Sequence, residues 1–155
     1  MKEIICFLFA VGLIGPLCGC MPSGPDTSAT PTQAYATMSG SALPDSVSNM
    51  ECHGAFWIDH NFCMRFNAST SDIQKILDAG YTATEWNLIE DDFQHSPYLE
   101  DFAGRWRPEE IKSKSCYKLA TEAKDYDQVH LLLIDHDANL VYCVSFGSVK
   151  PITKE

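Results

Sequence analysis

Residues 128–147 read "QVHLLLIDHDANLVYCVSFG". Two apolar runs flank the polar group Asp135 to Asn139, the pattern of two strands joined by a turn. The first run, Val129 to Ile134, is broken only by His130, so it lacks a solvent-facing alternation and belongs in the middle of a sheet. His130 therefore reads as a structural histidine with its hydrogen bonds satisfied internally. Asp135 and Asp137 place acids at alternate positions, as the start of a calcium loop does. The loop's glycine at the sixth position and glutamate at the twelfth are missing (Phe146 stands at the latter), so a hairpin turn is expected, with no metal.

Working outward, "NFCMRFN" at 61–67 alternates, with Phe62, Met64 and Phe66 on one face and Cys63 and Arg65 on the other. That is the signature of a half-buried strand. In "ASTSDIQKILDAGY", residues 68–81, Ser69 and Asp72 can satisfy the orphan N–H groups at a helix start. Ile73, Ile76 and Leu77 then share one helical face, and Gly80 is placed to stop the helix. "YTATEW" (81–86) and "SCYKLATE" (115–122) suit strands by their β-branched and aromatic content. "RWRPEEI" (105–111) suits a short helical turn with Pro108 at its first position. These elements predict an α+β fold: an antiparallel sheet of four or five strands with one main helix packed on one face, in two layers.

The other end of the chain has a different character. Residues 4–17, "IICFLFAVGLIGPL", carry no charge but are too short to span a bilayer, which takes about 20 residues. Behind Lys2, such a run followed by small residues reads as a secretory signal peptide. The next four residues, Leu17, Cys18, Gly19 and Cys20, resemble the lipobox of bacterial lipoproteins. The resemblance implies cleavage before Cys20, a diacylglycerol on its sulfur and an acyl group on the new amino terminus. Several acyl chains hold a protein firmly to a lipid bilayer, where one holds it only marginally. Met21 after the cysteine resembles the Gram-negative default for export to the outer membrane, with the domain facing the periplasm. The alternative is an ordinary signal peptide and a secreted product.

Residues 21–50 are rich in Pro, Gly, Ser and Thr, with Tyr35 as the single aromatic. Such a composition predicts a disordered tether. The expected organisation is therefore a signal peptide at 1–19, lipidated Cys20 with a disordered tether at 20–50, and a single α+β domain at 51–155.

Four cysteines fall in that domain: Cys52, Cys63, Cys116 and Cys143. An even number in an exported domain predicts disulfides, with Cys52–Cys63 and Cys116–Cys143 the preferred pairing of three possible ones. Four buried thiols acting as small hydrophobes are the alternative. No close cysteine spacing suggests zinc, and no cofactor or other metal site is expected.

The formal net charge is −10, and removing residues 1–19 takes away one Lys and one Glu, leaving it unchanged. So acidic a chain is not expected to bind nucleic acid or anionic headgroups directly; a cationic protein is the partner class it suits. The densest acidic stretch is "EWNLIEDDFQHSPYLEDFAGRW", residues 85–106. Two readings are open. Its aromatics plug the end of the sheet while its acids face water; or Trp86, Phe93, Tyr98 and Trp106 anchor a basic partner within a rim that includes Asp91 and Asp92.

No Gly-x-Ser-x-Gly elbow is present, and Asp59 beside His60 makes a hydrolase only if a nucleophile converges on them in space. An enzyme is therefore not expected. Beyond Cys20, "RWRPEEI" and the terminal hairpin resemble, in general build, uncharacterised small α+β lipoproteins, a build that some periplasmic immunity proteins of toxin systems share. The resulting expectation is an envelope lipoprotein acting as a protein-binding module, such as an immunity protein or inhibitor. The alternatives are a structural or assembly lipoprotein and, behind both, a hydrolase.

Overall fold

The terminal hairpin forms as the sequence dictates, and the rest of the sheet is built around it. The structure, a computed structural model, describes residues 28, 30–56, 60–122 and 126–149. The helices among these residues are α1 (Pro31–Ser39), α2 (Thr70–Leu77) and α3 (Glu90–His95). The strands are β1 (Ser48–Phe56), β2 (His60–Asn67), β3 (Thr82–Thr84), β4 (Lys114–Glu122), β5 (Tyr126–Asp135) and β6 (Leu140–Val149). They make one antiparallel sheet in the order β1-β2-β6-β5-β4-β3. The hairpin's two strands are thus central, which explains why their apolar runs are nearly continuous.

The fold expectation is corrected in two respects. Six strands form where four or five were expected, and three short helices replace one main helix. The helices lie on both faces, so the sheet is the middle of three layers. On one face α1 and α2 place Ala34, Tyr35, Met38, Ile73 and Ile76 against Phe62, Met64, Phe66, Leu132, Ile134, Val141 and Cys143. On the other, Ile89, Phe93, Phe102 and Trp106 cover Cys63, Leu131, Leu133, Tyr142 and Val144. This double cover makes β2 buried on both sides: Cys63, expected on an open face, is fully buried.

The expected tether from 20 to 50 is also corrected within its described part. Thr30 caps α1 through a reciprocal capping box with Gln33, Pro31 occupies the first turn, and Gly40 ends the helix in the left-handed conformation. Tyr35 and Met38 are 1% exposed, and the Tyr35 ring meets Phe66 edge-on at 5.6 Å. The Tyr81 hydroxyl donates to the Met38 carbonyl at 3.0 Å. A segment locked into the main core in this way is part of the domain, and β1 itself begins at Ser48.

Where β1 turns back into β2, Gly54 has φ 151°, and a Cβ there would lie 2.3 Å from the Asn61 carbonyl oxygen, so only glycine fits. At the other hairpin the Asp135 side chain accepts from the Asp137 and Ala138 N–H groups at 3.0 and 3.2 Å, closing the expected turn.

The expected disulfides do not form: Cys52, Cys63, Cys116 and Cys143 are free thiols. Register gives the reason. Cys52 pairs with Met64, not Cys63, so Cys52 and Cys63 point to opposite faces. Cys116 pairs with Leu133, which pairs with Tyr142, so Cys143 lies on the far face with β5 intervening. Such side chains cannot reach bonding distance. Burial pushes the Cys52 and Cys63 thiols up to about 12 and about 11, leaving them inert small hydrophobes.

Candidate functional site

The acidic–aromatic segment winds across one face of the sheet as short pieces: a 3-10 turn at Trp86–Leu88, then α3, then a second 3-10 turn at Leu99–Phe102. Six residues of helix are too few to persist alone, and α3 is held by Phe93, which is fully buried. Trp106 packs on Phe93 with ring centroids 5.9 Å apart, and its indole N–H donates to the Phe93 carbonyl at 2.8 Å. Tyr142 of the sheet meets Trp106 edge-on at 5.2 Å. Phe93 and Trp106, two of the four expected anchors, are therefore mainly core residues, 0% and 8% exposed, that reach the surface only at the wall of a pocket shared with Gln94, Leu99 and Glu109. Trp86 is half-buried, with the Lys114 ammonium 4.1 Å above its ring, and Tyr98 is half-buried against the same core. Leu88, which sequence reasoning passed over, is 68% exposed at the tip of the first turn.

The charged groups beside α3 are mostly acidic. Glu90, Asp91 and Asp92 occupy the first turn of α3, where negative charge opposes the helix dipole. Asp91 and Asp92 then border a cleft of about 160 Å³ whose other walls include Asn61 of β2, His95, Ser96 and Phe146 of β6. Asp91 is almost fully exposed and faces the His95 Nδ1 at 3.0 Å. Asp92 is partly buried; that burial, then the neighbouring Asp91 carboxylate, pushes its carboxyl up, with Lys118 opposing. The Asn61 Oδ1 is buried with no hydrogen-bond partner. Ser96, at the cleft wall, is hydrogen-bonded to the Cys63 thiol at 2.9 Å. Carboxylates and an unsatisfied amide oxygen make an acceptor-rich cleft, suited to a donor that carries positive charge.

The histidines do not assemble a hydrolase there. Ser145 stands between two of them, 2.9 Å from the His60 Nε2 and 2.7 Å from the His130 Nδ1, the residue types of a nucleophile and its base. Yet Ser145 is fully buried, on the sheet face opposite the cleft, so no substrate atom can approach its oxygen. Asp59 lies outside the described residues, as do Cys20 and the rest of the lipobox. His53 faces Glu51 at 3.3 Å and Phe102 edge-on, and His136 faces Ser115 at 2.7 Å. Among the described residues no cluster of three or more His, Cys, Asp or Glu could hold a metal, and no helix is long and apolar enough to cross a membrane. No protein-family model, curated protein or solved structure matches this chain.

Proposed function

We propose that the chain is an envelope lipoprotein, anchored at the outer membrane through acylated Cys20, whose domain binds a cationic protein as an immunity protein or inhibitor does. The observation that carries the binding half is the cleft beside α3. Asp91, Asp92 and Asn61, whose amide oxygen is buried without a hydrogen-bond partner, line it together, and among the described residues no Lys or Arg forms an ion pair with either acid. A lysine or arginine side chain entering there would pair with the carboxylates and favour the ionised form of Asp92. The net charge of −10 adds long-range attraction, which raises the on-rate for a basic partner. The anchoring half rests on the lipobox resemblance of Leu17 to Cys20.

A penta-arginine peptide serves as a defined probe. Titrated into the full chain, it is expected to shift the NMR signals of Asn61, Asp92 and Ser96, with affinity falling steeply as salt rises. Asp91→Lys with Asp92→Lys is expected to weaken binding at least about tenfold, from the charge reversals at close range. Peptide bound elsewhere, or unaffected by the double reversal, removes the site. Envelope partners captured without salt dependence favour the structural or assembly reading instead. Mass spectrometry of the mature N-terminus tests the anchor: an unmodified Cys20 thiol defeats it.

A further inference from the structure

On the face of the sheet turned away from the cleft, three polar side chains from three adjacent strands are buried together. His60 of β2 is 6% exposed, Ser145 of β6 is 0% exposed and His130 of β5 is 1% exposed. The serine oxygen lies 2.9 Å from one ring and 2.7 Å from the other, and the rings stack with centroids 5.9 Å apart. We propose that this His60–Ser145–His130 chain is an acid-sensitive catch that holds the β2–β6–β5 end of the sheet together at neutral pH and releases it in acid.

The argument turns on counting hydrogens. The Ser145 hydroxyl has one, so it donates to one ring and accepts from the other. The ring it donates to must present a bare nitrogen, which a neutral imidazole has and an imidazolium lacks. One added proton can be housed on the far nitrogen of the ring that already donates to the serine, which leaves the hydroxyl's own donation intact. With both rings protonated the serine hydrogen has no acceptor, and two cations face each other in a buried site. Burial first, then the charge of His60, pushes His130 down to about 4.

Among the described residues, the other titratable groups packed on this face are Cys52 of β1, Cys143 of β6 and Tyr117 of β4, with Tyr35 of α1 and Tyr81 over them. These are thiols and phenols, uncharged in acid. The charged pair Asp72–Lys75 belongs to α2, and Lys118 and Asp92 lie on the cleft side. His60 is the charged neighbour that acts on His130. The catch matters for the cleft because Asn61 and Phe146, which line it, adjoin His60 and Ser145 in sequence.

The sign follows from linkage. The unfolded imidazole has an ordinary value near 6.5 and the folded one lies lower, so the unfolded state binds more protons in acid. Stability is complete above about 6.5 and is lost as pH falls toward about 4. For one such group the unfolding constant of the full chain rises on the order of fiftyfold between pH 7.5 and 4.5.

Urea unfolding of the full chain at both pH values, with and without His130→Gln, reads that factor. The variant is expected to lose a rise of that size, while the contribution of the carboxylates stays. Ring-proton NMR reads the same group directly, and His60→Gln is expected to raise the His130 midpoint by removing the neighbouring cation. His130 titrating near 6.5 overturns the catch. So does an unchanged rise in a folded His130→Gln chain, or, should that variant not fold, a His130 midpoint indifferent to His60→Gln.

Discussion

Tyr35→Ala separates a packed α1 from a disordered leader to the domain more sharply than any other single change. The ring is 1% exposed and meets Phe66 edge-on at 5.6 Å, within a cluster that includes Phe62, Met64 and Ile76. Truncating a buried aromatic to alanine removes its transfer energy and leaves a cavity, together worth about 3–5 kcal/mol. Helix propensity offsets only a few tenths of that, since alanine is the better helix former. The net loss is expected to be about 3–4 kcal/mol. With a urea dependence of about 2 kcal/mol per molar, the midpoint should fall by roughly 1.5–2 M. Buried Trp106 reports the transition by fluorescence, and exposed Thr32→Ala serves as the control on the same helix, within about 0.5 kcal/mol of the parent. A Tyr35→Ala chain as stable as the control would show that residues 30–40 do not pack, and the three-layer description would lose its first layer.

Two further outcomes follow from the core. Iodoacetamide in denaturant without reductant should modify Cys52, Cys63, Cys116 and Cys143, and dithiothreitol should leave the unfolding midpoint unmoved; a Cys52–Cys63 or Cys116–Cys143 cystine in the digest contradicts the opposed-face register. Trp106→Phe deletes the indole N–H and leaves the Phe93 carbonyl unsatisfied, at a cost of about 1–3 kcal/mol before the smaller ring is considered. After correction for the folded fraction its binding of a cationic probe should match the parent; a selective loss of binding would restore Trp106 as an anchor.

What the sequence reveals depends on whether a signal is local. The hairpin was legible because two central strands buried on both faces leave long apolar runs, and the Asp135 turn carries its own hydrogen bonds. The second helix was legible through Ser69, whose hydroxyl accepts from the Asp72 N–H at 3.2 Å. The first helix was masked by averaging: Thr30, Pro31, Gln33 and Gly40 are a complete set of start and stop signals, but they sit in a stretch dominated by Ser, Thr and Pro. β1 hid for another reason. Its cleft-side residues at the start are polar, Glu51 pairing with Arg65 and Arg105, so no apolar alternation announces a strand. The disulfide pairing failed on parity. Whether two cysteines in adjacent strands share a face depends on register, and one residue of slip reverses the answer. For the candidate site, the acids were readable, but the orphan Asn61 emerges only when β2 is placed beside α3.

The free thiols and the packed first helix together change what an anchor at Cys20 would mean. Export implied disulfides, but Cys52 and Cys63, like Cys116 and Cys143, stand on opposed faces, so the proposal of an envelope lipoprotein rests on the lipobox resemblance. The helix would also shorten such a tether. Counting from Cys20, nine residues precede Thr30, a reach of at most about 30 Å even fully extended. A domain so anchored, with a net charge of −10, would be repelled by anionic headgroups at distances of about a Debye length, near 8 Å in physiological salt. Its most acidic surface should therefore turn outward from the bilayer. That orientation would present the Asp91–Asp92 cleft to a soluble cationic protein and withhold it from one embedded in the same membrane.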